Sequence, residues 1–314
     1  IEKSIVHNLF WQRFILKKHL MSLGCDILFS SDASTVCDFS PFVTLSQDAL
    51  SFEKGTIRKF LFTKSIFRMI AIYFLQISTI KKANGTIFLT KYAKDLVLNK
   101  TGNIHNCTII PHGINDIFMN VNIPNEINFD DPVKIIYVSN YSMYKNQWEV
   151  VKAIDDINSS KIKVKLTLVG GGSGKAKKLT ELAIDKMKYP CAVLDVGRCE
   201  HFKLPELIKE HDVFLFASSC ETISITLLEG MASFKPIISS NKGPMPEVLG
   251  NSGVYFDPFS SVDISNAIRE VINRDPKVNY KQAKLSYEKS QFYNWKTCAK
   301  NTWDFIEKTA KDYL

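Results

Sequence analysis

The sequence predicts an α/β protein of two domains, each a doubly wound parallel sheet, joined by a polar linker. Three observations carry this. From residue 132 onward, short continuous apolar runs alternate with segments of helical spacing. The same alternation, with fewer strands, runs through the first half. Between the halves lies the polar stretch "NVNIPNEINFDD", residues 120–131. Apolar strands separated by helices imply parallel strands covered on both faces.

In chain order, "DILFS" (26–30), "PFVTL" (41–45), "TIFL" (86–89) and "CTII" (107–110) are the strands expected in the first half. The second half offers "VKIIYV" (133–138), "VKLTLV" (164–169), "CAVLDV" (191–196), "DVFLFA" (212–217), "KPIIS" (235–239) and "GVYF" (253–256). Between the first two of these, Trp148, Val151 and Ile154 recur three apart, as on one face of a helix. The chain ends in a long amphipathic helix carrying Trp295, Cys298, Trp303 and Ile306. The expected division is residues 1–128, residues 129–295, and a final helix, 296–314, packing back toward the first domain.

Composition bounds the function. A chain of 314 residues, 45% hydrophobic and 23% charged, is folded and long enough for two cores. Its seven cysteines form no C-x-x-C pair and no cluster with histidine at metal spacing. They read as reduced core residues of a cytosolic protein. The net charge of +8 is concentrated in residues 54–82, which hold seven Lys or Arg and no acid among large apolar residues. Two readings stand: a basic amphipathic surface lying on anionic lipid, or a buried helix with a solvated flank. Arg68 and Gln76 make the stretch too polar to span a bilayer, so no transmembrane helix is expected. Nothing resembling a signal peptide follows Ile1. No nucleic-acid partner is expected.

In open α/β sheets, ligands bind beyond the carboxyl ends of the strands, so those loops hold the candidates. After the strand 133–138, Lys145 precedes a helix N-terminus, a place that attracts anions. It reads as a phosphate-binding cation or as a solvated loop lysine. After 164–169 comes "GGGSGK". It fails the triphosphate pattern, because 169 is Val and 176 is Ala, and fails the dinucleotide pattern, because 175 is Lys. Bare backbone remains, which a ligand or a helix could approach closely. After 212–217, "SSCETISITLLEGMA" suggests a largely buried helix starting near Ser224. An ionised Glu229 within it would be costly without partners. The hydroxyls of a ribose would supply them, and so would a nearby lysine. Glu221, before the helix, could accept hydrogen bonds from a sugar; at helical rise the two carboxylates would stand about 10 Å apart.

At these residues the chain resembles glycosyltransferase family 4. The resemblance rests on Glu221 and Glu229 eight apart after a strand ending in Ser-Ser, with "YKNQWEVVKA", "LVGGG", "EGMASFKPIISS" and "GVYFDP" in order. Upstream, "IFLTKYAKDLVL" and "IIPHGINDIF" look like the end of that family's first domain. The match is nearest to members that build bacterial surface polysaccharides. It implies the GT-B fold, two Rossmann-like domains facing a cleft, with the first incomplete at its N-terminus.

The resemblance further implies that Glu221 contacts the donor sugar, Glu229 the ribose, and Lys145 the leaving diphosphate. The amides of Thr222, Ile223 and Ser224 would help hold sugar and phosphate; Gly170 and Gly171 belong to the donor site, and Gly197 and Arg198 meet the base. His112 and Asn140 fall at the hinge or cleft. Transfer would retain configuration, with no metal or other cofactor; the chain has no D-x-D motif. The implied partners are a nucleoside-diphosphate sugar, a glycan or lipid-linked acceptor, and an anionic membrane surface through residues 54–82. The implied station is the cytoplasm, at the inner face of the plasma membrane. Three departures stand out. Ser139-Asn140 replaces a frequent Arg, Ser46-Gln47 replaces a frequent His, and no strand with a glycine-rich loop precedes Trp11. They leave an alternative, a sugar-nucleotide-binding subunit or truncated relic without transferase activity.

Overall fold

Each of the ten apolar runs forms a strand, with ends displaced by at most two residues. The structure is a computed structural model describing residues 5–48, 50–53 and 65–313. It divides into two units, one of Ile1–His112, Glu221–Ile223 and Lys296–Leu314, the other of Gly113–Cys220 and Ser224–Trp295.

In the first unit, β1 (Leu28–Ser30), β2 (Phe42–Ser46), β3 (Gly85–Phe88) and β4 (Cys107–Ile109) form a parallel sheet in sequence order. Successive side chains of a strand point to opposite faces, and β3 shows the consequence. Phe88 packs with Ile80 and Val97 from helices Ser65–Lys82 and Lys91–Thr101. Ile87 packs with Val43, Ile110 and Ile306, the last from the C-terminal helix Trp295–Tyr313. At Gly85 a Cβ would stand 2.9 Å from the Phe305 ring, so that helix packs closely over the start of β3. The helix buries Ile306, Thr309 and Ala310, whereas Trp295 and Trp303 are exposed. The indoles lie outside the contact that the narrow sheet offers.

The described part of the basic stretch is a helix with one buried face and one exposed face. Residues 54–64 lie outside the described residues. In helix Ser65–Lys82, Met69, Gln76, Thr79 and Ile80 are buried, and Gln76 is accommodated there by a 2.5 Å hydrogen bond from Ser51. The other face leaves Phe67 79% and Phe74 64% exposed, with Ile70 between them. No helix among the described residues is long and apolar enough to cross a membrane.

The second unit holds β5 (Val133–Val138), β6 (Val164–Val169), β7 (Val193–Gly197), β8 (Val213–Phe216), β9 (Ile237–Ser240) and β10 (Val254–Phe256). Their order is β10-β9-β8-β5-β6-β7, all parallel. The chain first winds outward through β6 and β7, then returns to place β8 on the other side of β5. That reversal makes a crevice at the carboxyl ends of β5 and β8. β7, at the edge, alternates rather than running buried, and Leu194 and Val196 are exposed.

Two expectations are corrected. The junction falls at His112/Gly113, not at 128. The Ile114 amide donates to the Tyr293 carbonyl at 2.9 Å, and a Cβ on Gly113 would stand 2.1 Å from the Trp295 nitrogen. Ile127 packs with Phe234 and Ala283. The stretch reads as a linker because Val121, Ile127 and Phe129 are isolated in sequence, yet all three join that cluster. No disulfide joins the seven cysteines among the described residues, but only Cys37 and Cys220 are buried, and Cys191 is exposed.

Candidate functional site

The loop after β5 turns twice before helix Gln147–Asn158 begins. Asn146 adopts φ 53°, a left-handed conformation that Asn tolerates better than most residues. Its Nδ2 donates to the carbonyls of Tyr144 and Ala217, both at 2.9 Å. Gln147 Nε2 donates to Ser139 Oγ and to the Asn140 carbonyl. These amides tie the ends of β5 and β8 together. Their own oxygens, Asn146 Oδ1 and Gln147 Oε1, are buried with no hydrogen-bond partner among the described residues. Lys145 is 8% exposed, with its ammonium 5.2 Å from the ring centroids of both Tyr144 and Phe216. Tyr137 donates to its carbonyl at 2.6 Å. A cation held over two aromatic faces is not a solvated loop lysine. Asn140 itself is exposed.

Beyond β6, it is a neighbouring loop that approaches the glycines. At Gly170, φ 146°, a Cβ would stand 2.0 Å from the Ser139 carbonyl oxygen; at Gly172, φ 144°, it would stand 2.9 Å from Tyr141 Cβ. Gly171 has ordinary room beside Arg198. Gly197, φ 71°, accepts from the Gly170 amide at 2.7 Å and donates to Asp195 Oδ1 at 3.1 Å. Asp195 also accepts from Tyr141 at 2.7 Å and pairs with Lys177. Burial pushes the Asp195 carboxyl up, but hydrogen bonds from Lys177, Tyr141 and Gly197 together hold it below the usual carboxylate range. Burial, reinforced by Asp195, drives the Tyr141 hydroxyl well above its ordinary value. This cluster fixes the backbone turn at Gly197–Arg198; Arg198 is exposed.

Beyond β8, Ser219 donates through its amide to the Tyr144 carbonyl at 2.7 Å. Ser224 caps helix Ile225–Ala232 by accepting from the Leu227 amide at 3.2 Å. The buried helix expected there is observed, with Glu229 4% exposed. Its partner is a histidine rather than a lysine: His201 Nε2 lies 2.7 Å from Glu229 Oε1. Burial pushes the Glu229 carboxyl up, and the hydrogen bond and charge of His201 offset part of that rise. His201 sits in the turn His201–Lys203 after β7, its ring 5.2 Å from that of Phe118.

Glu221, half-buried, and Thr222 and Ile223 cluster with the first unit. There Thr222 Oγ1 donates to the Gln47 carbonyl at 2.9 Å, and Thr90 donates to the Thr222 carbonyl at 2.7 Å. The helix starts only at Ile225, so helical rise does not set the Glu221–Glu229 separation. His112 ends the first unit's main segment, and burial lowers its basicity. The second unit thus gathers Lys145, Gly170, Gly171, Gly197, Arg198, Ser224 and Glu229 on loops at strand ends and on the helix that follows β8. The sequence reading missed His201, Asp195, Tyr141 and Lys177. The first lies in a loop after a strand, where the same rule would have found it. A cavity of about 690 Å³ opens where β8 and β9 begin, beside Asp212 and Pro236, and no proposed donor residue lines it. No group of three or more His, Cys, Asp or Glu able to hold a metal occurs among the described residues.

Residues 120–289, more than half of the chain, match the family described as glycosyl transferases group 1. The chain belongs to that family. Glycogen synthase of Mycobacterium tuberculosis is 24% identical over 174 residues, covering 54% of this chain and 41% of the relative. The chain therefore spans well under half of that relative's length. Among solved structures, sucrose-phosphate synthase of Thermosynechococcus elongatus superposes with a TM-score of 0.78 at 16% identity, covering 98% of this chain and 79% of that one. HepE of Anabaena in complex with UDP-glucose gives 0.72 at 17% identity, covering 93% and 81%. The fold of this glycosyl transferases group 1 member is GT-B: two parallel-sheet α/β units.

Proposed function

We propose that the protein is a retaining, metal-independent glycosyltransferase of family 4 that moves a sugar from a nucleoside-diphosphate sugar to a glycan or lipid-linked acceptor of a surface polysaccharide. The observation that carries this is a pair of buried charges, Lys145 and Glu229, in the half of the chain that matches the family. A buried carboxylate with one oxygen uncommitted suits a ribose diol. A lysine at a strand end suits the diphosphate. The bound UDP-glucose of HepE supports a nucleotide sugar as donor.

In the reaction, the bond from the anomeric carbon to the diphosphate oxygen breaks and a bond to the acceptor oxygen forms on the same face. The acceptor's proton passes to the leaving phosphate oxygen. Lys145 meets the charge that develops there, the kind of preorganised stabilisation that usually dominates such reactions. Glu221 is assigned to the sugar, Thr222, Ile223 and Ser224 to sugar and phosphate, and Gly197 and Arg198 to the base. The protein would work in the cytoplasm, on the inner face of the membrane. The exposed Phe67, Ile70 and Phe74 beside Arg68, Lys81 and Lys82 support that station.

Calorimetric titration with UDP, GDP and their sugar conjugates tests the donor site. One nucleotide is expected to bind in the micromolar range, and Glu229→Ala is expected to weaken it at least tenfold, about 1.4 kcal/mol. A folded protein that binds none of them would end the donor-site assignment. Binding of a nucleotide sugar without transfer or slow hydrolysis would favour the non-catalytic subunit.

A further inference from the structure

The sequence offered Glu229 a ribose or a lysine; the fold gives it an imidazole. His201 Nε2 lies 2.7 Å from Glu229 Oε1, and Oε2 has no hydrogen bond among the described residues. The carboxylate side chain is 5% exposed and the His201 side chain 52%. The imidazole therefore reaches a buried acid from the solvent side. Phe118, 3% exposed, backs its ring. A carboxylate only accepts, so Nε2 carries the proton of this bond.

We propose that His201 is a positioning residue for nucleotide recognition, donating to one oxygen of Glu229 so that the other is presented to the ribose hydroxyls. The proposal rests on the donor-site reading of Glu229. Its physical logic is asymmetric satisfaction. A buried carboxylate with no partner tends to take up a proton and becomes a poor acceptor for a diol. One bound on both oxygens by protein would have nothing left to offer. Binding through one oxygen avoids both outcomes, and the ring N–H of His201 is placed to supply that single bond.

The surrounding charges do not supply the same effect. Beside His201, Glu200 and Lys203 pair with each other at 2.6 Å. The turn that carries Phe118 contributes Asp116. On helix Pro276–Ser290, which packs against the Glu229 helix, Lys284 lies 4.0 Å from Glu288, and Lys289 donates to the Leu249 carbonyl. Lys277 and Lys281 complete that helix's charges. The Glu229 carboxyl responds to burial and to His201.

The test is calorimetric binding of UDP and GDP from about pH 5.5 to about pH 8, with thermal unfolding of each variant as the folding control. Comparing variants at each pH removes the nucleotide's own titration. Glu229→Ala should bind weakly throughout. His201→Ala should bind about tenfold more weakly than wild type near pH 6 and about threefold near pH 8, because the unsupported carboxyl protonates as pH falls. His201→Gln, whose amide can donate to the same oxygen, should recover to within about threefold. If His201→Ala matches wild type while Glu229→Ala loses binding, the proposal fails and the donor site stands. Equal losses in both His201 variants at every pH would reduce the residue to packing and also overturn it. If Glu229→Ala binds normally, or folded wild type binds neither nucleotide, the donor-site reading fails and takes the proposal with it. Should His201→Ala unfold, His201→Gln and Glu229→Ala decide: His201→Gln within about threefold of wild type while Glu229→Ala loses binding supports the proposal, and a His201→Gln loss as large as that of Glu229→Ala overturns it.

Discussion

The helices of the two units are used differently. In the second unit, helix Ile225–Ala232 buries every residue from Leu227 to Ala232, a glutamate included. Helix Gln147–Asn158 buries Gln147 and Asn158 at its two ends as well as its apolar face. Polar groups enter that interior and find partners at strand ends. In the first unit, none of residues 7–22 is buried, although Phe10, Trp11, Phe14 and Ile15 lie among them. Helix Ser65–Lys82 likewise turns Phe67 and Phe74 outward. One unit closes its backbone around a polar site; the other keeps apolar surface in reserve, with basic residues around it and no acid in either helix.

The largest effect should come where backbone meets backbone in the second unit. Gly170→Ala drives a Cβ to 2.0 Å from the Ser139 oxygen at φ 146°. It should cost about 4 kcal/mol or more in urea unfolding, whereas Gly171→Ala, with ordinary room, should cost under about 1 kcal/mol. If the two variants prove equally stable, the loops are not held as tightly as the contrast requires.

In the first unit the comparison is within one helix. Ile306→Ala, at a site 4% exposed, should cost about 2–4 kcal/mol. Trp303→Ala, removing a larger side chain that is 68% exposed, should stay within about 0.5 kcal/mol. Hydrogen exchange after the first change should quicken in β2 and β3. An equally small stability effect, within about 0.5 kcal/mol, is expected from Phe67→Ser combined with Phe74→Ser. Its readout is sedimentation with vesicles of anionic lipid, which should fall several-fold. Unchanged sedimentation would remove the membrane role from the exposed face.

Much of this was legible in the chain itself. The inner strands could be read because a strand covered on both faces is a continuous apolar run, the edge strands because their runs stay apolar even where one face is exposed, and the helix start at Ser224 because cap residues satisfy amides that the helix leaves open. Glu229 stood out as a charge inside a core pattern. The Trp295 and Trp303 positions could not be read, since apolar spacing marks a helix face without saying how far a sheet extends beneath it. The glycines after β6 announced a close approach without naming what approaches.

The sequence by itself therefore determined which segments are strands, where helices begin, and which charge was out of place. Only the tertiary structure decided what meets that charge. β7 and β8 are consecutive in the chain, yet β6 and β5 lie between them in the sheet. His201 follows one and Glu229 lies beyond the other, 28 residues apart. Their contact depends on the strand order reversing at β5, a property of the whole sheet that no local pattern encodes.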